Sequence, residues 1–109
     1  MAISVEASGT QTATLTVEHS LGTTATAGIY QLIVDANALV NGETLVLKCK
    51  MNVLGAGTER VLFAQPYNNI QAEPIKESIP VTVPQTSTWT LTQTGGTGRA
   101  FPWSLIRLA

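Results

Sequence analysis

The chain has 109 residues and a formal charge of −1, with 44% hydrophobic and only 12% charged residues, where an ordinary domain carries about 25% charged. It is the length of one domain (1–109) and too apolar for a disordered chain. Its six scattered Lys and Arg offer no grip on a nucleic acid, and its one cysteine, Cys49, excludes an internal disulfide.

Thr, Ser, Gln and Asn replace the missing charge, and nine Gly and five Pro punctuate the chain. Threonine is β-branched and suits the solvent face of a sheet, so the composition reads as all-β. MAISVEASG lacks the basic start and apolar run of a signal peptide, and no apolar segment approaches the roughly 20 residues of a membrane span. Synthesis in a cytoplasm, with no membrane partner, is the expectation.

Ala2 to Ala7 alternates Ile3, Val5 and Ala7 against Ser4 and Glu6, predicting a short first strand turned by Ser8-Gly9-Thr10. Gln11 to His19 predicts a second strand, with Ala13, Leu15 and Val17 inward, and Ser20 to Gly28 predicts a connection. Ile29 to Val34 is apolar on both faces apart from Gln31. It reads as a central strand covered on both sides, or one whose outer face meets a partner chain. Asp35 to Asn41 is the only passage with local helical character; Asp35 could cap one turn, ended by Gly42.

Glu43 to Val53 organises the rest. Leu45, Leu47, Cys49, Met51 and Val53 form an apolar row opposite Thr44, Val46, Lys48, Lys50 and Asn52, a period of two that only a strand keeps on one face. A strand of this length needs neighbours on its edges and a second layer over its apolar face. Glu59 to Tyr67 predicts the next strand, with Val61, Phe63 and Gln65 sharing a face and Pro66 marking an end or an edge. Asn68 to Lys76 reads as a surface loop, and Tyr67, just before it, is the one aromatic expected to be exposed. Glu77 to Val83 points Ile79, Val81 and Val83 one way, with Pro80 again at an edge. Ser87 to Thr94 sends Trp89 and Leu91 inward and its threonines outward, Gly95-Gly96-Thr97-Gly98 turns, and Arg99 to Ala109 carries Phe101, Trp103 and Leu105 on one face. About eight strands at roughly ten-residue spacing predict a single-domain antiparallel β-sandwich or jelly roll, with at most one short helical turn.

Candidate chemistry is sparse. His19, the only histidine, is expected at a strand end, hydrogen-bonded to backbone, because no nucleophile shares its face. Asp35 is the only aspartate, so no calcium loop of the D-x-D-x-D kind exists. A glycosidase pair would need two carboxylates brought together in space, Glu59 with Glu77 for instance. The two glycine runs are followed by strands and not helices, so they read as hairpin turns and not phosphate loops. Cys49 reads as a buried core thiol. Catalytic, cofactor and metal sites are therefore not expected. Leu105 and Leu108 cannot both face one core on strict alternation, so Ile106 and Leu108 are expected to cover a second surface. The candidate interface is Ile3, Val5, Tyr67, Ile70, Ile75, Ile106 and Leu108.

With GIYQLIVDANALVNGETLVLK, QAEPIKESIPVTVP and TLTQTGGTGRAFPWSLIRLA laid out, the chain from Glu18 to Ala109 resembles a group of small β-rich virion proteins of tailed bacteriophages and prophages, above all in its TGGTGRAFPW ending. The resemblance implies a non-enzymatic virion component that decorates the head shell. Its partners would be the major capsid protein or other virion proteins, with self-association for which a trimer is favoured; a tail or head–tail location is the variant. The alternative is a carbohydrate- or host-surface-binding module, which would display Tyr67 or a tryptophan on an open concave face.

Overall fold

The computed structural model describes residues 2–108. Among them are nine strands: β1 (Ile3–Thr12), β2 (His19–Thr24), β3 (Gly28–Asp35), β4 (Thr44–Met51), β5 (Arg60–Asn68), β6 (Ile75–Glu77), β7 (Val81–Val83), β8 (Ser87–Thr94) and β9 (Ala100–Leu108). They form two antiparallel sheets, one in the order β1-β9-β3-β6 with β7 also pairing β3, the other in the order β2-β8-β4-β5. The all-β sandwich expected from the alternation is the observed fold.

The pairing has a simple logic. β1 pairs β9, β2 pairs β8, β3 pairs β6 and β7, and β4 pairs β5. The chain is thus one long antiparallel ribbon, doubled back at β4–β5 and rolled so that successive pairs fall alternately into the two sheets. With β6 and β7 counted as one interrupted strand, this is the strand order of a jelly roll.

The core lies where the inward rows of the two sheets meet. Leu45, Leu47 and Cys49 of β4, Trp89 and Leu91 of β8, and Tyr30, Leu32 and Val34 of β3 are all fully buried. Each large apolar side chain contributes about 1.5–3 kcal/mol by leaving water. Phe101 and Leu105 of β9 close the core from the first sheet, while Phe63, Tyr67 and Trp103 pack half-buried at its margins.

Several boundaries differ from the expectation. Ser8-Gly9-Thr10 does not turn: β1 runs through it, paired with β9 from Ile3↔Leu108 to Thr12↔Ala100. Small polar residues suit an edge strand as well as a turn, and the partner strand decides. The chain turns instead between Ala13 and Glu18, where Thr16 takes a φ of 65° and its N–H donates to the Gln93 carbonyl at 2.8 Å. Gln11–His19 is therefore not one strand. Ala13 is buried as expected, Leu15 only half-buried, and Val17 is exposed. Ser20 to Gly28, expected to be a connection, supplies β2 instead.

Past Met51 the organising strand loses its alternation. Asn52 turns inward, donating to the Leu54 carbonyl at 2.8 Å and accepting from Thr86, and Val53 is left 70% exposed. In β5 an irregularity opposite Cys49 and Lys50 takes Val61 off the Phe63 face. Pro66 lies within β5, an edge strand, where a proline can turn its donorless nitrogen to the open side. Ile75 and Lys76, expected in a loop, belong to β6. The expected Glu77–Val83 strand breaks at Ser78-Ile79-Pro80, where Ser78 bonds Leu32 through both backbone and hydroxyl (2.8 and 2.9 Å) and Ile79 faces solvent. Asp35 caps no helix; its Oδ1 accepts the Asn37 N–H at 3.0 Å in a tight turn.

Candidate interaction surface

The outer face of the first sheet follows from its inner face. Leu105 is inward, so Ser104, Ile106 and Leu108 point outward; Tyr30, Leu32 and Val34 are inward, so Ile29, Gln31 and Ile33 point outward. Register then lays Ile3, Leu108 and Ile29 in one cross-strand row and Val5, Ile106 and Gln31 in the next. A register shift between Val5 and Ala7 lets the two apolar outward residues of β1, Ile3 and Val5, precede an inward Ala7, whose Cβ lies 3.8 Å from where a side chain on Gly22 would begin. Ile3 and Val5 are 68% and 62% exposed, and the side chains beside them on β9 and β3 are half-buried. The result is an apolar patch interrupted only by Gln31 in its second row. Towards its far end the same face carries Ile33 and Asp35, opposite Glu77 and Ile75 of β6, around a depression of about 180 Å³.

Of the seven candidate interface residues, Ile3, Val5, Ile106 and Leu108 come together in adjacent rows, and Ile75 lies across the same sheet. Tyr67 and Ile70 do not join them. Tyr67 sits on β5 of the other sheet and is half-buried, not exposed as expected, because it packs against the core beneath the Lys76 ammonium, 5.3 Å from the ring centre. That burial pushes its phenol pKa up. Ile70, in the loop beyond, is 62% exposed.

The outer face of the second sheet is largely polar along β4 and β8, where Val46 alone among the outward residues is apolar. The Glu18 carboxylate accepts from Lys50 Nζ at 2.8 Å and Thr90 Oγ1 at 2.8 Å, with Lys48 Nζ at 3.8 Å. The lysine hydrogen bond holds its carboxyl below the usual value, against a smaller opposing effect of burial. Beside it the Thr88 hydroxyl donates to Glu59 at 2.8 Å. A second apolar region, a groove of about 350 Å³, opens where the β4–β5 loop folds over Met51, Leu54, Val61 and Leu62, with Arg60 at its rim.

The residues that could carry chemistry serve the fold instead. His19 Nε2 accepts the Thr14 N–H at 2.9 Å, a strand-end histidine tied to backbone. Cys49 is fully buried, and desolvation pushes its thiol up to about 12. Glu59 bonds threonines of the second sheet while Glu77 lies on β6 of the first, so they form no pair flanking a substrate. Among the described residues no group of three His, Cys, Asp or Glu could hold a metal ion. Trp89, Tyr30 and Phe101 are fully buried, and the other three aromatics pack half-buried on the core.

One constellation escaped the sequence. Glu43, just before β4 and 1% exposed, accepts from Arg99 Nε (3.1 Å) and Nη2 (3.0 Å), from the Val40 N–H (3.1 Å) and from the Thr97 N–H (3.1 Å). Gln93, also buried, accepts the Arg99 N–H at 2.9 Å and donates to the Thr97 carbonyl at 2.7 Å. Gly96, at a φ of +66°, passes so close to Glu43 that a side chain there would collide with the carboxylate. The Arg99 hydrogen bonds, more than any other contact, hold the Glu43 carboxyl below its usual range. The network seams the end of the sandwich, tying the entry to β4 to the β8–β9 turn. Its one legible signal was Gln93, a polar residue at inward parity after Trp89 and Leu91.

Compared with known proteins, the chain matches no family model, no curated protein and no solved structure.

Proposed function

We propose that the chain is a non-enzymatic structural protein of a bacteriophage virion, one that decorates the head shell and stabilises it by protein–protein contact. The observation that carries this reading is the apolar outer face of β1, β9 and β3, over which no layer packs among the described residues. Such a patch on a small protein marks an interaction site. The jelly-roll strand order recurs in viral capsid domains, but it serves lectins and cupins as well, so the fold adds only an analogy. Low charge favours the reading too, since copies packed side by side on a shell repel one another little. A protein that binds the assembled shell and not its separated subunits stabilises the shell by mass action.

The test is co-sedimentation of purified protein with empty heads of the phage or prophage that encodes it. Saturable binding, with heads that then resist heat or chelator better, is the expected result. Absence of binding to heads, together with quenching of tryptophan fluorescence by host-surface oligosaccharides, would replace this reading with a carbohydrate-binding one.

A further inference from the structure

We infer that two copies of this chain pair edge to edge through β1, antiparallel about Gly9, making the two first sheets one continuous sheet. Natural sheets guard their edges with prolines, bulges, charges or shortness. Three of the four edges here are guarded in that way. β6 and β7 are broken at Ser78–Pro80 and flanked by Pro74 and Pro84. β5 carries Arg60, an irregularity near Leu62 and Pro66. β2 has six residues and a register shift between Ser20 and Gly22. β1 is different: beyond its shift at Val5/Ala7, the run Ala7 to Thr12 (ASGTQT) has no charge, no proline and no further irregularity, and it forms the open edge of its sheet.

The partner that fits this edge is a second copy. Pairing about Gly9 sets Ser8 opposite Thr10 of the partner subunit, a hydroxyl pair that favours cross-strand contact, and the small Ala7 opposite Gln11 of the partner subunit, which leaves that side chain room. Glu6, the only charge in β1, falls opposite Thr12 of the partner subunit, so the pairing brings no like charges together. Gly9 stands at the centre of this run, opposite Trp103 of β9, whose indole lies 3.7 Å from where a side chain would begin; a copy brought in along the edge meets the backbone in the plane of the sheet, not that ring. The two-fold axis stands perpendicular to the joined sheet, so both apolar faces point the same way. On the virion reading, on which this last step rests, the dimer offers its shell two patches at once and binds by avidity.

Light scattering across a concentration series tests the pairing without any shell. The expected species is a dimer, where the sequence favoured a trimer. The double variant Ser8→Lys with Thr10→Lys sets like charges opposite across both symmetric pairs and raises the dimer dissociation constant on the order of tenfold or more. Ser8→Lys with Thr10→Glu sets opposite charges in the same places and keeps the dimer. Both residues are exposed, so an unchanged circular dichroism spectrum, with melting compared at concentrations where both proteins are monomeric, excludes a folding defect. A monomer at every concentration, a trimer, or two variants that behave alike would each overturn the inference. Loss of head binding with the dimer intact would count against the virion reading and leave the pairing standing.

Discussion

On the outer side of β4 and β8, Thr, Lys and Glu side chains bond one another, with Glu18 gathering two lysines and a threonine and Glu59 gathering another. On the outer side of β1, β9 and β3, the corresponding rows hold Ile3, Leu108 and Ile29, then Val5, Ile106 and Gln31. Each sheet buries an apolar inner row, Leu45, Leu47 and Leu91 in one and Leu32, Val34 and Leu105 in the other, and that burial does not by itself require an apolar outer face. A sheet needs one apolar face to make a sandwich. The polar face shows what this chain does with a surface meant for water, and the apolar face departs from it at a cost in solubility. That cost is offset only if something covers the patch, which is why the proposed interface lies on this side.

The largest effect should come from the buried seam that ties the entry to β4 to the β8–β9 turn. Glu43→Ala removes the acceptor for Arg99 and for the Val40 and Thr97 N–H groups together. Breaking a buried pair in this way costs about 3–5 kcal/mol, and here nearer 3, because Arg99 keeps a third of its side chain in water. Thermal denaturation should show a fall of about 15 °C in a domain of this size. A shift of only about 1 °C would mean that the turns hold without the ion pair.

Next in size is a matched pair of surface changes. Val5→Lys, on the apolar patch, should weaken head binding on the order of tenfold while changing stability by no more than about 0.5 kcal/mol. Thr92→Lys, on the outer side of β8, should leave head binding unaltered. Equal effects of the two variants in a binding isotherm would erase the functional difference between the faces.

The inner rows were legible in the sequence because a period of two is a local property: Leu45, Leu47 and Cys49, or Trp89 and Leu91, declare their face without reference to any partner. Ile106 and Leu108 could be placed on a second surface by the same parity. What the sequence concealed depends on partners distant along the chain. Ser8-Gly9-Thr10 has turn composition, yet β9 runs beside it and keeps it extended. Ser78-Ile79-Pro80 interrupts a strand because Ser78 competes for the backbone of Leu32, 46 residues away. The Glu43–Arg99 pair spans 56 residues, and no spacing rule connects them. Tyr67 was expected in solvent because its neighbours are polar and loop-like, but parity opposite Leu45 draws it onto the core.

The smallest effect belongs to the polar face and concerns pH. Glu18 is one-third exposed, so its pairing with Lys50 is screened by water, and Glu18→Gln should cost about 0.2–1 kcal/mol at neutral pH. Its carboxyl pKa is lowered in the folded chain from an ordinary value of 4.5, foremost by the Lys50 hydrogen bond. The unfolded chain therefore binds the proton more readily, and stability falls as pH falls. The contribution is present in full above the unfolded value and fades as pH drops through the folded one. Denaturant titrations at pH 7 and pH 3 should accordingly show the Gln variant less stable than the parent at the higher pH and nearly equal to it at the lower. A difference that persists undiminished at pH 3 would show that Glu18 acts by packing over Thr90, and the polar face would then owe its stability to burial, as the core does, and not to charge.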